Sequence, residues 1–238
     1  PSTTNSEPMA KSPACSFIAE IVEFQPDLLA TEVKTPTVKR VWPLIDRIKI
    51  AIPDCKTVLM GDHITALPQE SLDNCNVDIC LTGGDYDFGL LDIVNNNGIK
   101  GIYRKETNEQ LESLPIIDRK LTKYELYAYK NGNYKYLKGS YTYAARDCWW
   151  RSEGGCTFCS WTNTYKNFRV CTTDRLMEEV ENCASLGIRE IFDDSGTFPT
   201  KAWLHDFCKK LIKFNKGARH GKARITMGCN MRPGALRD

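Results

Sequence analysis

Short apolar runs alternate with amphipathic stretches along most of this chain, and that alternation restricts its fold more than any other feature. "DLLATEV", "CKTVLMG", "VDICLTGG" and "IKGIYR" have the length and the apolar content of buried strands. Helical phases precede and separate them. "ACSFIAEIVEF" repeats apolar residues at Phe17, Ile18, Ile21 and Val22, and "TPTVKRVWPLIDRIKIAI" places Val38, Val41, Trp42, Ile45 and Ile48 on one face. "LPQESLDNC" and "YDFGLLDIVNN" complete the set. Pro43 lacks the N–H that a helix interior uses, so its helix is expected to kink there or to begin near Trp42. Strands joined through helices of this length run parallel, which predicts an α/β fold with a doubly wound sheet.

Residues 104–140 break the rhythm: they are polar and rich in Tyr, with a turn signal at Asn131-Gly132, and read as a linker. The alternation resumes at Tyr141. "YTYAAR", "IREIF" and "ARITMG" are strand-like, and "TTDRLMEEVENCASLG" is a helix with Thr173 as its expected N-cap and Gly187 as its stop. "KAWLHDFCKKLIKF" is a second helix, with Trp203, Phe207, Leu211 and Phe214 facing inward. Three strands and two helices in strict order make half of a modest barrel. The predicted division is therefore a Rossmann-like domain over 14–103, the linker over 104–140, and a β/α domain over 141–238. A helix precedes the first strand and the chain stops at "GALRD", so a fragment of a longer protein is expected, with one strand edge left open.

Composition removes several classes of function. With 42% hydrophobic and 26% charged residues the chain is that of a globular protein. Lys plus Arg exceed Asp plus Glu by only two, which argues against a nucleic-acid partner. No apolar run approaches a membrane span, and "PSTTNSEPMAKSP" lacks the core of a signal peptide, so a cytoplasmic setting is expected. Of the eleven cysteines, Cys15, Cys55, Cys75, Cys80, Cys183 and Cys208 are scattered and read as small buried hydrophobes.

Cys148, Cys156 and Cys159 differ, because "CWWRSEGGCTFCSW" puts all three on one loop. Three thiolates hold a cubic iron–sulfur cluster by three irons and leave the fourth open for reaction, whereas four protein ligands close a site. Gly154 and Gly155 let the backbone turn before Cys156, and Trp149, Trp150, Phe158 and Trp161 could wall a cluster from water. A zinc staple using Cys171 as fourth ligand is the alternative, although neither Cys148 nor Cys171 has a close mate.

"CWWRSEGGCTFC" followed by "EIFDDSGTFP" resembles the radical S-adenosylmethionine (SAM) enzymes, specifically those with an N-terminal cobalamin-binding domain. The resemblance covers residues 14–238. Loops of that family usually have three residues between the first two cysteines, then two, with an aromatic before the third. Phe158 fills the aromatic place; the seven residues between Cys148 and Cys156 depart from the pattern, as though "RSEGG" were inserted and looped outward on its glycines. The resemblance implies a partial (β/α) radical SAM barrel carrying a four-iron four-sulfur cluster on Cys148, Cys156 and Cys159. It implies SAM contacts from Phe158, Asp193, Asp194, Ser195, Asn230 and Arg232. The plainer alternative makes Asp193 a turn cap and Arg232 a solvated cation.

For cobalamin the resemblance is carried by "TEV" at Thr31–Val33 and "MG" at Met60-Gly61, which stand where the family has Ser-x-Leu and Gly-Gly. It implies tail or corrin contacts from Thr31, Thr35, Thr37, Gly61, Gly83 and Gly84. His63 follows a later strand and reads as a hydrogen-bonding residue, not a cobalt ligand. The implied activity is reductive cleavage of SAM to a 5′-deoxyadenosyl radical. It would drive cobalamin-dependent methyl transfer or related chemistry on a small organic substrate, with electrons from a flavodoxin or ferredoxin. A methylthiotransferase, which would need a second cysteine trio from Cys55, Cys75 and Cys80, and a zinc-stapled binding module are the alternatives.

Overall fold

The predicted alternation is present in the computed structural model, which describes residues 13–128, 138–217 and 224–236. The turn expected at Asn131-Gly132 lies outside the described residues. The chain divides into two compact units, one ending at Thr107 and the other beginning at Asn108.

In the first unit the order is α1 (Pro13–Phe24), β1 (Leu28–Glu32), α2 (Val38–Ala51), β2 (Lys56–Met60), α3 (Asp62–Ala66), α4 (Pro68–Asn74), β3 (Ile79–Thr82), α5 (Tyr86–Asn95) and β4 (Gly101–Arg104). The four strands pair in the order β1-β2-β3-β4, all parallel. Strand alternation sends Leu59 and Cys80 to one face, where Val38, Trp42 and Ile45 of α2 pack on them. Val58, Ile79 and Leu81 go to the other face, against Ile93 of α5. Helices therefore cover both faces, as doubly wound sheets require, and each fully buried Ile or Leu contributes about 1.5–3 kcal/mol.

Pro43 sits inside α2, which starts earlier than Trp42, at Val38. The helix tolerates it because Val38, Trp42, Ile45 and Ile48 are all buried, and that packing offsets a missing backbone bond.

The second unit continues with α6 (Glu125–Ala128), β5 (Gly139–Thr142), β6 (Ala145–Arg146), α7 (Trp161–Thr164), β7 (Arg169–Val170), α8 (Thr173–Ser185), β8 (Glu190–Asp193), α9 (Lys201–Gly217) and β9 (Thr226–Cys229). Strands β5, β8 and β9 form a parallel sheet in that order, and α8 and α9 share one apolar core with it. "YTYAAR" is not one strand: β5 ends at Thr142, and β6 leaves to pair antiparallel with β7. Thr172, not Thr173, is the N-cap of α8; its hydroxyl accepts from the Arg175 N–H from an extended backbone.

The stretch read as a linker is packed over much of its described part. Leu111 and Tyr124 belong to the core of the second unit. Arg119, only 2% exposed, donates to Glu179, Asn182, Ser140 and the Tyr141 carbonyl. A buried arginine needs that many acceptors, and the sequence shows neither their number nor their positions.

Candidate functional site

The cysteine loop spans the gap between β6 and β7, so a two-stranded ribbon closes its base. A bond from the Cys171 N–H to the Ala144 carbonyl (2.9 Å) extends the closure. Within the loop, Trp149–Glu153 form a 3₁₀ turn that ends in two left-handed glycines, Gly154 (φ +101°) and Gly155 (φ +68°). Their N–H groups donate to the Arg151 and Trp150 carbonyls, and Cys159 N–H donates to Cys156 O at 3.1 Å. Only glycine occupies two successive left-handed positions without strain.

Burial pushes the Cys148 thiol up, and negative charge on Asp147, Cys156 and Cys159 pushes the same way; the Trp150 backbone pulls it back in part. A bound cation beside Cys148 would pull the same thiol the other way. Among the described residues no three His, Cys, Asp or Glu side chains are placed to hold a single metal ion. Trp149, Trp150 and Trp161 are half-buried, but Phe158 is 89% exposed and walls nothing.

Asp193 ends β8 with no exposure. Its Oδ2 accepts from the Thr142 hydroxyl (3.0 Å) and the Ala144 N–H (2.6 Å), and its Oδ1 from the Ser195 N–H (3.1 Å). Burial lifts its carboxyl above the usual carboxylate range, against the pull of these donors. Ser195, equally buried, accepts from the Ala145 N–H at 2.9 Å. Asp193 and Ser195 therefore hold the corner at which the chain leaves the sheet for the cysteine loop.

Asp194, Asn230 and Arg232 are more accessible, and the first two meet. The Asn230 amide donates to Asp194 Oδ1 at 3.3 Å. The Arg232 guanidinium lies 3.2 Å from the Trp150 ring centroid, joining the end of β9 to the cysteine loop. Gly196 completes the corner: a Cβ there would stand 2.8 Å from the Trp161 ring and 3.1 Å from the Asp147 carbonyl.

The first unit's candidate residues are occupied with their own fold. Thr31 lies within β1, and Gly84 is buried beyond the end of β3. Thr35 Oγ1 is 3.2 Å from His63 Nδ1, while His63 Nε2 is 3.0 Å from Glu70 Oε2. That matches the hydrogen-bonding role expected of His63. Thr37 donates to the Lys34 carbonyl, and Gly83 exchanges two bonds with the Thr65 hydroxyl. Gly61 has φ +110°, and a Cβ there would meet Val33 O at 2.5 Å, a clash inside the protein and not the wall of an open cradle. The contacts of Thr35, Thr37, Gly61 and Gly83 bind the first unit to itself and do not shape a cradle for cobalamin.

The sequence missed Arg151, whose contacts run from Asp147 to Tyr165. An Arg inside a seven-residue departure from a motif was the available signal. Compared with known proteins, the chain matches no family model and no curated protein.

Proposed function

We propose that the second unit is the SAM-cleaving part of a radical SAM enzyme, with Cys148, Cys156 and Cys159 holding a four-iron four-sulfur cluster. One observation supports this above all others. Three thiols share a loop at the carboxyl end of a parallel sheet; at the neighbouring strand ends the Asn230 amide meets the Asp194 carboxylate, and the Arg232 guanidinium lies over the Trp150 ring of that loop. When bound, such a cluster supplies the electron that breaks the sulfonium S–C bond of SAM. The chain's own residues bind and orient. Asp194 offers an acceptor for an ammonium, Arg232 and Asn230 offer donors for a carboxylate or ribose, and Asp193 and Ser195 keep the corner in place. The three strands with α8 and α9 correspond, in this proposal, to the first β/α units of the family's barrel.

The zinc reading loses support at its fourth ligand. Cys171 is 4% exposed within the apolar core, and burial pushes its thiol to about 12. The methylthiotransferase reading loses support likewise. Cys55 and Cys80 are buried in separate apolar clusters, with thiols pushed up by burial, to about 12 at Cys80. A small organic substrate, a flavodoxin or ferredoxin donor, a cytoplasmic setting and cobalamin-dependent methyl transfer belong to the same proposal. No step is assigned to cobalamin, because the contacts of Thr35, Thr37, Gly61 and Gly83 serve the first unit itself. Among the described residues no helix is long and apolar enough to cross a membrane.

The test is anaerobic reduction with SAM, followed by quantification of 5′-deoxyadenosine. The wild-type chain is expected to form it and Cys156→Ala to form none; cleavage that survives the substitution would overturn the proposal.

A further inference from the structure

The seven residues between Cys148 and Cys156 are not slack chain. Ser152, Glu153 and Gly154 face solvent, as an outward loop requires, but Arg151 turns inward. Its Nε pairs with Asp147 Oδ2, and its Nη2 donates to the carbonyl oxygens of Trp161 (3.2 Å) and Tyr165 (2.7 Å). Asp147 immediately precedes the first cysteine, and Trp161 lies two residues after the last. One side chain therefore ties together both ends of the arc that carries all three thiols.

We infer that Arg151 is a positioning residue: it fixes where Cys148 stands relative to Cys156 and Cys159, so that a gap of this length still presents one donor set. The inference deepens the cluster reading above and rests on it. A guanidinium is suited to the task because its five donors are set in a rigid planar fork, which serves a carboxylate and two carbonyls at once. A lysine ammonium keeps the charge but lacks that fixed spread.

The surroundings give the contact its strength. Asp147 is fully buried and holds φ +70°, a conformation that costs a non-glycine residue on the order of 1–3 kcal/mol and persists only where neighbours enforce it. Neither of its carboxylate oxygens has a hydrogen-bond partner among the described residues, so the ion pair with Arg151 is the compensation that this buried carboxylate has. Gly154 and Gly155 then return the chain, by N–H bonds to the Arg151 and Trp150 carbonyls, to the point where Cys156 begins. Ordering a free segment costs about 1–2 kcal/mol per residue. Here the segment is ordered by folding, before any metal arrives.

The experiment compares the full wild-type chain with Arg151→Ala and Arg151→Lys by two readouts. In the metal-free state, hydrogen exchange at the amides of Gly154, Gly155 and Cys159 is expected to be slow in wild type and to accelerate in both variants, more in the alanine chain. After anaerobic reconstitution, a ferrous chelator is expected to strip iron about tenfold or more faster from Arg151→Ala, in line with the effect of outer-shell groups on metal sites, and at an intermediate rate from Arg151→Lys. Unchanged exchange in both variants, or iron held at the wild-type rate by both, overturns the inference. Should the alanine chain not fold, the lysine variant decides alone by the same criteria. A wild-type chain that takes up no iron contradicts the cluster reading instead, and the clamp is then judged by exchange alone.

Discussion

Gly61 shows how a single residue can be fixed by the chain rather than by a ligand. Its φ of +110° and the 2.5 Å and 2.9 Å approaches of the Val33 backbone leave no room for a Cβ. Gly61→Ala is expected to destabilise the first unit by roughly 3 kcal/mol or more, read from urea unfolding, because backbone cannot move aside as a side chain can. Asp193 makes the same point for polar groups. Replacing it by Asn turns an amide NH₂ toward donors at Ala144, Thr142 or Ser195. The expected cost is about 1–3 kcal/mol of stability, checked by the same unfolding assay. The sequence placed Asp193, Asp194 and Ser195 together but not their division of labour. Which carboxylate is buried depends on the pleat of β8 and on donors some fifty residues upstream.

Elements were largely legible, and their failures share one cause. The four strands and three longer helices of the first unit stood out because apolar period and length agree. The short pair β6 and β7 did not, because two-residue strands carry no period. "YTYAAR" breaks at Tyr143 because Asp193 and Ser195 capture the N–H groups of Ala144 and Ala145, a long-range event that no local pattern encodes. Between adjacent Thr172 and Thr173, composition offers two caps, and only backbone geometry selects one.

A further tie between elements yields a pH prediction. Asp78, just before β3, accepts from Thr57 N–H (2.8 Å), the Thr57 hydroxyl (2.9 Å) and Lys49 of α2 (3.0 Å). Burial alone would lift its carboxyl, but these donors together with the Lys49 charge outweigh it and hold the group below its ordinary value. A lowered value in the folded state means that the stability is present above the ordinary carboxylate range and is lost as pH falls through the lowered one. Asp78→Asn is expected to cost about 1–3 kcal/mol at neutral pH, and the gap to wild type to close in acid, in urea titrations across pH. A constant gap would contradict the account. Pro43→Ala should move the other way, restoring a bond in α2 and raising stability by about 1–3 kcal/mol in the same titration.

At the scale of the whole molecule, the chain joins a doubly wound unit to a second unit built on a three-stranded parallel sheet with two helices over one core. Strand and helix rhythm made the alternation of elements legible in both units. The packed state of residues 108–128 was not legible, because Arg119 and its acceptors are drawn from three separate stretches of sequence. Cys55, Cys80, Cys171 and Cys183 are buried, but Cys208 is exposed and Cys75 half-buried, against the expectation that they are core residues; sharing one loop, rather than exposure, sets Cys148, Cys156 and Cys159 apart. The direct measurement is iron and acid-labile sulfide per chain after anaerobic reconstitution, wild type against Cys156→Ala. The account predicts about four of each in wild type, with charge-transfer absorption, and loss of both in the variant. Colourless wild-type protein without iron, or a variant that keeps the full complement, would contradict it.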